Sequence, residues 1–313
     1  MSKEGAASLA AFLETKEYKR FAEFCDACRQ SRYIGLCYGP PGVGKSFSAW
    51  HYVQWDLVEA HFPECFPSSS LAGVLASIAS TDAAELSPEL KHCRSVLYTP
   101  SVTNTPKRVE QEVRALRLTL SYLVEATKPK LERVAGLSQR MRDPTELLIV
   151  DETDRLKAVS LEQIRDIYDR HAIGVVLIGM PGLEKRLSRY AQLYSRVGFV
   201  HEFRPLSSEE ARVVLQQQWT QWGLTLQSES AAEMEATAAI IRITNGNFRL
   251  LHRLLAQIER IVQINALRMV TKRGCRDCTP TTHHWINLRK DGDTDCDEKA
   301  AIYCGDLHTI PAY

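Results

Sequence analysis

Gly39-Pro40-Pro41-Gly42-Val43-Gly44-Lys45-Ser46 satisfies the spacing G-x-x-x-x-G-K-[ST]. Ahead of it, Tyr33-Ile34-Gly35-Leu36-Cys37-Tyr38 is an apolar run of strand length, and behind it a helical pattern continues to about Val58. Strand, glycine-rich turn and helix together form the context in which this spacing wraps a phosphate. The glycines permit backbone conformations that turn several N–H groups inward, and the helix N-terminus adds a dipole that favours an anion. In this pattern Lys45 supplies a point charge to the β- and γ-phosphates of a nucleotide, and the Ser46 hydroxyl ligates magnesium.

Further along, Leu147-Leu148-Ile149-Val150 is another apolar run of strand length, ending in Asp151-Glu152. Such a strand delivers side chains to the carboxyl end of a parallel sheet, where ligands bind. Asp151 is expected to hold the magnesium shell, and Glu152 to orient and deprotonate an attacking water. Two acids at the end of an apolar run are weak evidence alone, because they equally end a strand in solvated charge. Paired with the phosphate loop they complete a site for ATP and Mg2+.

Ser95 to Tyr98 and Val175 to Ile178 add two further strand patterns. Helical patterns run from about Pro106, with Val109, Val113, Leu116, Leu120 and Leu123 on one face, and from Ser160 to Arg170. The alternation predicts a parallel sheet with helical crossovers, an α/β fold. Beyond Pro205 the strand signal fades, and helices are expected at Ser208 to Trp222, Ser230 to Thr244 and Phe248 to about Leu267. The expected domains are an N-terminal helical segment over 1–30, a nucleotide-binding core over 31–204, a small all-helical domain over 205–273 and a tail over 274–313.

The 39 basic and 38 acidic side chains nearly cancel, so overall charge neither demands nor excludes a nucleic acid partner. No run of 18 apolar residues is present and the start is charged, which predicts no membrane association and a cytoplasmic location. Cys25, Cys28, Cys37, Cys65 and Cys93 are scattered through segments that read as a cytosolic enzyme and are expected to be reduced. Cys25 and Cys28 form a C-x-x-C with no second ligand pair nearby, which fits two thiols on adjacent helical turns better than a redox or zinc site.

The sequence resembles AAA+ ATPases of the TniB, TnsC and phage Mu B type of transposition helper, over roughly Tyr33 to Lys272. Beyond the phosphate loop, the resemblance rests on Asp151-Glu152-Thr153-Asp154-Arg155-Leu156, Val175-Val176-Leu177-Ile178-Gly179-Met180-Pro181-Gly182 and Asn245-Gly246-Asn247-Phe248-Arg249. It implies a P-loop αβα sandwich, the AAA+ core, with the helical domain over 205–273 as its lid, ATP bound at a subunit boundary, and a homo-oligomer, ring or filament. Arg249 is then the lid arginine on the γ-phosphate, and an arginine finger falls within Arg186 to Arg196, with Arg196 favoured and Arg189 second. Where the family usually carries a polar residue after the fourth core strand, this chain has Met180, which cannot position water by hydrogen bonding. Slow hydrolysis is expected.

The resemblance also implies binding to double-stranded DNA and recruitment or activation of a transposase. DNA contacts map onto Ser101 to Arg108, with Thr103, Lys107 and Arg108 as candidates. Arg242 to Arg273 adds seven basic residues against one acid, Glu259, the charge that tracking a phosphate backbone needs. Either patch equally fits a solvated helix face. The rival functions are a replication initiator or helicase loader, and a nucleotide switch that binds only proteins. In the tail, Cys275, Cys278, His283, His284, Cys296 and Cys304 offer zinc ligands at irregular spacing, against a disordered segment or the product of a frameshift.

Overall fold

The apolar runs expected as strands lie side by side. A computed structural model describes residues 12, 14–59, 61, 71–129, 142–221, 231–265, 269–273, 285–289 and 301–303. Strand β1 (Ile34–Tyr38) is flanked by β4 (Gly174–Gly179) and β5 (Val197–Glu202), and β3 (Leu147–Val150) lies between β4 and β2 (Ser95–Tyr98). All pairings are parallel, giving the order β2-β3-β4-β1-β5. Parallel neighbours need crossover connections, and here helices α1 (Lys16–Ser31), α2 (Lys45–Tyr52), α3 (Trp55–Glu59), α4 (Leu71–Ser80), α5 (Pro106–Ala126) and α6 (Ala158–His171) alternate with the strands. Two short helices, α7 (Leu183–Leu187) and α8 (Ala191–Tyr194), lead into β5.

Every residue of β2, β3 and β4 is buried, which is why these strands read as continuous apolar runs. The five apolar positions expected on one face of α5 are all buried as well. Strand β5 has no counterpart in the sequence reading. It is an edge strand whose residues alternate between half-buried and exposed, and Gly198 and His201 interrupt its apolar pattern. On α1, Phe21, Phe24, Cys25 and Cys28 are buried. Gly35 lets that face press onto β1, since a Cβ there would lie 2.4 Å from Cys28 Sγ and 2.6 Å from the Phe24 ring.

Cys25, Cys28 and Cys93 are free and buried, as expected of reduced thiols, Cys37 is buried, and Cys65 lies outside the described residues. Burial pushes the Cys28 thiol up to about 12.

The chain divides into two compact units: Tyr18–Pro41 with Lys45–Phe203, which carries the parallel sheet, and Met1–Glu17 with Gly42–Gly44 and Arg204–Tyr313. In the second unit, α9 (Ser208–Gln221), α10 (Ala231–Thr244) and α11 (Phe248–Asn265) match the three expected helices, although Trp222, Ser230 and Leu267 lie outside the described residues. Asn245 and Gly246 adopt left-handed conformations between α10 and α11, and Asn247 Oδ1 accepts the Leu250 N–H to cap α11. Strands β6 (Met269–Arg273), β7 (Trp285–Arg289) and β8 (Ala301–Tyr303) form an antiparallel sheet where the pattern promised no further strands. The tail cysteines and histidines considered as zinc ligands, and Arg268, lie outside the described residues.

Candidate nucleotide site

β1 and β3 end on either side of β4, two inter-strand spacings or about 10 Å apart. The phosphate loop leaves the first and the Asp151-Glu152 pair the second, so both reach the carboxyl edge of the sheet. Between them β4 ends in Gly179, which contributes no side chain.

Gly39 is fixed by close approach. The Phe203 N–H donates to Tyr38 O at 2.8 Å, and a Cβ on Gly39 would fall 2.2 Å from Phe203 O. Gly42 and Gly44 take φ of +77° and +110°, values that side-chain-bearing residues rarely adopt. Lys45 opens α2 with 9% of its surface exposed, and its Nζ donates to Gly39 O at 2.6 Å and Pro40 O at 2.7 Å. The loop carbonyls thus hold the ammonium at the loop's own mouth. Pro40 and Pro41 are exposed, Val43 is buried, and Ser46 is exposed on the first turn of the helix.

At the end of β3, the Asp151 N–H donates to Tyr98 O at 2.9 Å, extending the ladder by one residue. Asp151 is buried and its Oδ1 accepts the Glu152 N–H at 2.8 Å. Glu152 sits at φ +49°, a left-handed conformation costing a non-glycine residue about 1–2 kcal/mol. Thr153 braces the turn by donating its hydroxyl to Val150 O at 3.0 Å. The Glu152 carboxylate is paired through Oε2 with Arg155 Nη2.

A buried carboxylate and an exposed hydroxyl are hard oxygen donors that suit magnesium, which is held through one or two carboxylates plus phosphates. Among the described residues no three His, Cys, Asp or Glu side chains form a cage for a metal, and magnesium in this setting needs none. Asp151 and Ser46 are therefore the residues that would hold it.

Met180 is 41% exposed, but its N–H donates to Asp154 Oδ2 at 2.7 Å. That same oxygen lies 2.6 Å from where a Gly179 Cβ would be. The polar group beside the end of β4 is thus a carboxylate borrowed from the β3 turn, which the sequence reading did not identify. Arg186 ties α7 to that turn through Asp154 O at 3.0 Å and Leu156 O.

The expected arginines differ in their surroundings. Arg196 forms a two-pronged pair with Asp169, at 2.7 and 2.9 Å, and donates to Gln192 O. The Arg196 guanidinium holds the Asp169 carboxyl below its usual range. Arg189 is exposed, and its side chain has no polar partner among the described residues. Arg249 is the second residue of α11. Its N–H donates to Gly42 O at 2.9 Å, a contact within the second unit, and its side chain is exposed.

Thr103, Lys107 and Arg108 are exposed where the loop after β2 enters α5, with Val102 78% exposed beside them. Thr105 caps the helix by accepting the Arg108 N–H. Arg108 Nε pairs with Glu112 Oε1 at 2.8 Å, which raises the arginine above its usual value. The rest of this loop is bonded to the turn after β3, with Arg155 Nη1 donating to Pro100 O at 3.1 Å and Asn104 Nδ2 donating to Arg155 O at 3.1 Å.

The AAA domain family matches residues 28–187. A "Potential ATP-binding protein" of Staphylococcus aureus is 43% identical over 266 residues, covering 83% of this chain and 92% of that protein. "Mu-like prophage FluMu DNA transposition protein B" of Haemophilus influenzae is 26% identical over 254 residues, covering 77% of this chain and 70% of the relative. Among solved structures, the Thermotoga maritima RuvB Holliday junction branch migration motor matches with a TM-score of 0.46 at 15% identity, over 82% of this chain and 65% of that one. The Aeropyrum pernix ORC1 protein in complex with DNA matches with a TM-score of 0.45 at 15% identity, over 80% of this chain and 60% of that one. This chain spans less than two thirds of either solved protein. No described helix is long and apolar enough to cross a membrane. With the phosphate loop and the paired carboxylates at one edge of a parallel five-stranded sheet, the chain belongs to the AAA domain family of P-loop proteins.

Proposed function

We propose that this protein is an ATP-hydrolysing transposition helper of the TniB, TnsC and Mu B type, which assembles on double-stranded DNA in its ATP state and recruits or activates a transposase. The observation that carries the ATPase reading is the pair of strand ends flanking β4, one delivering Lys45 and Ser46 and the other Asp151 and Glu152. Lys45, already desolvated among carbonyls, is placed to exchange them for β- and γ-phosphate oxygens. Asp151 and Ser46 would hold magnesium, which would neutralise charge on the phosphates. Glu152 takes a proton from water as its oxygen attacks the γ-phosphorus, and the bridging oxygen departs with ADP.

Arg249 contributes a lid cation, and Arg196 acts in trans on a neighbouring copy's γ-phosphate, exchanging Asp169 for phosphate. Arg189, without such a partner, is the second choice for that role. The DNA reading draws on the exposed Thr103, Lys107 and Arg108 and on the relative named as a DNA transposition protein. The core over 31–204, lid over 205–273 and tail over 274–313 remain the proposed functional divisions.

The test is fluorescence anisotropy of labelled duplex DNA with ATP, with ADP and without nucleotide. Binding that requires ATP, tolerates changes of sequence and weakens steeply with salt is the expected result. Equal binding without nucleotide would count against an ATP-assembled oligomer, and no binding at all would leave a switch that acts only on proteins.

A further inference from the structure

Arg108 and Glu112 face each other across one turn of α5, and a residue of the sheet stands behind them. Arg108 Nε donates to Glu112 Oε1 at 2.8 Å, and the Tyr98 hydroxyl donates to Glu112 Oε2 at 2.8 Å. Tyr98 is the last residue of β2 and is 3% exposed, and Glu112 is 7% exposed. The carboxylate is therefore held between a buried ring fixed in the sheet and a guanidinium whose side chain is 45% exposed. All three residues lie within the first unit.

Helix stability does not account for the arrangement. The first turn of α5 carries Lys107 and Arg108 and no acid, although the helix dipole favours negative charge there. An arginine placed four residues before its acid is also the weaker order for such a pair, and its exposure weakens the pair further. A buried carboxylate, by contrast, needs partners, and Glu112 has one for each oxygen. What the guanidinium gains is a fixed direction. Its Nε–H is committed to Glu112, while neither Nη group has a polar partner among the described residues. Both remain open to a phosphate, which an arginine can grip by two oxygens at once.

We infer that Glu112 is a positioning residue for DNA, which, anchored by Tyr98, holds the Arg108 guanidinium ready for one phosphate of the duplex backbone. A long side chain fixed in advance loses less freedom when it binds, and this outweighs the repulsion between the Glu112 carboxylate and DNA. Lys107, the neighbour of Arg108, has no polar partner among the described residues and acts as an unoriented point charge. The inference rests on the proposed DNA role of this loop.

The test is anisotropy of labelled duplex DNA with ATP present, using the full chain with Glu112→Ala, Glu112→Gln, Tyr98→Phe, Arg108→Ala, or Glu112→Ala combined with Arg108→Ala. Unchanged affinity for ATP reports that a variant has folded. Glu112→Ala removes a negative charge, so a carboxylate that merely neutralises Arg108 predicts tighter binding. Positioning predicts the opposite sign, a loss of roughly 2- to 10-fold for one long side chain left to be ordered on binding. Glu112→Gln should restore most of that loss, because its amide oxygen still accepts the Nε–H, and Glu112→Ala should cost nothing more once Arg108 is already alanine. Tyr98→Phe should weaken binding in the same direction by a smaller factor, and it decides the matter if Glu112→Ala fails to fold, since binding at wild-type strength would then overturn the inference. Unchanged or tighter binding in Glu112→Ala overturns it, as does an equal loss in the Arg108→Ala background. A wild type that does not bind duplex DNA, or an Arg108→Ala protein that binds as the wild type does, is a different outcome, which refutes the DNA role of the loop and the positioning with it.

Discussion

Replacing Gly39 by alanine adds one methyl group where the structure has no room for it. The added carbon would lie 2.2 Å from Phe203 O, 3.1 Å from Phe203 C and 3.2 Å from Phe203 Cβ. Two of those atoms are backbone, so no side chain can rotate away. The φ of Gly39 lies outside the left-handed region, which makes the cost steric rather than conformational. Overpacking of this kind costs about 1–3 kcal/mol, and loss of the Phe203 N–H bond to Tyr38 O adds about 1 kcal/mol. If the loop holds its place, the sum of about 2–4 kcal/mol appears as lost stability, lowering Tm by roughly 4–16 °C. If the loop moves instead, Lys45 loses its carbonyl cradle, and ATP binding weakens by roughly 30- to 1000-fold. Thermal melting and titration with a fluorescent ATP analogue distinguish the two. A Gly39→Ala protein that keeps both Tm and affinity would refute the close approach on which the loop's geometry depends.

Two other predictions concern the surface and the core. Lys107→Ala and Arg108→Ala should each weaken duplex binding about equally across sequences and flatten the dependence of log K on log salt by about one unit for each phosphate no longer neutralised, measured by anisotropy between low and physiological salt. Native protein should resist maleimide at Cys25 and Cys28 near pH 8, because burial raises both thiols, that of Cys28 to about 12, and labelling should appear only on unfolding. The raised thiols also set a sign. The folded state keeps the proton that the unfolded chain releases above the ordinary value of 9.0, so stability is full below that pH and falls as pH rises towards about 12. Rising stability over that range in denaturant melts would contradict the burial.

The parts of the fold that were legible share a physical cause. Strands β2, β3 and β4 are covered on both faces, and their composition is apolar without interruption, so each stands out at its full length. Edge strand β5 is covered on one face, and six residues of alternation broken by Gly198 give too short a period to separate from a loop. Strands β6 to β8 owe their form to pairing between separated segments, which local composition does not encode.

The site divides in the same way. Gly39 to Ser46 and Asp151-Glu152 are contiguous and carry their chemistry in their order. Glu152 and Arg155 are three residues apart, within reach of a local argument. The bonds from Arg155 to Pro100, from Asn104 to Arg155 and from Met180 to Asp154 join different strand ends and exist only once the sheet has formed. The same holds for Arg196 and Asp169, whose pairing places a strong local competitor beside the favoured finger.

The central claim is that one edge of the sheet hydrolyses ATP and that DNA governs its rate. Steady-state hydrolysis with and without double-stranded DNA tests it most directly, with Glu152→Gln as the variant that keeps the site but lacks the base. The account predicts slow hydrolysis that duplex DNA accelerates, and a Glu152→Gln protein that still binds ATP but does not turn it over under either condition. Turnover that persists in Glu152→Gln would contradict the assignment of the base, and wild-type turnover indifferent to DNA would contradict the role proposed for the loop after β2.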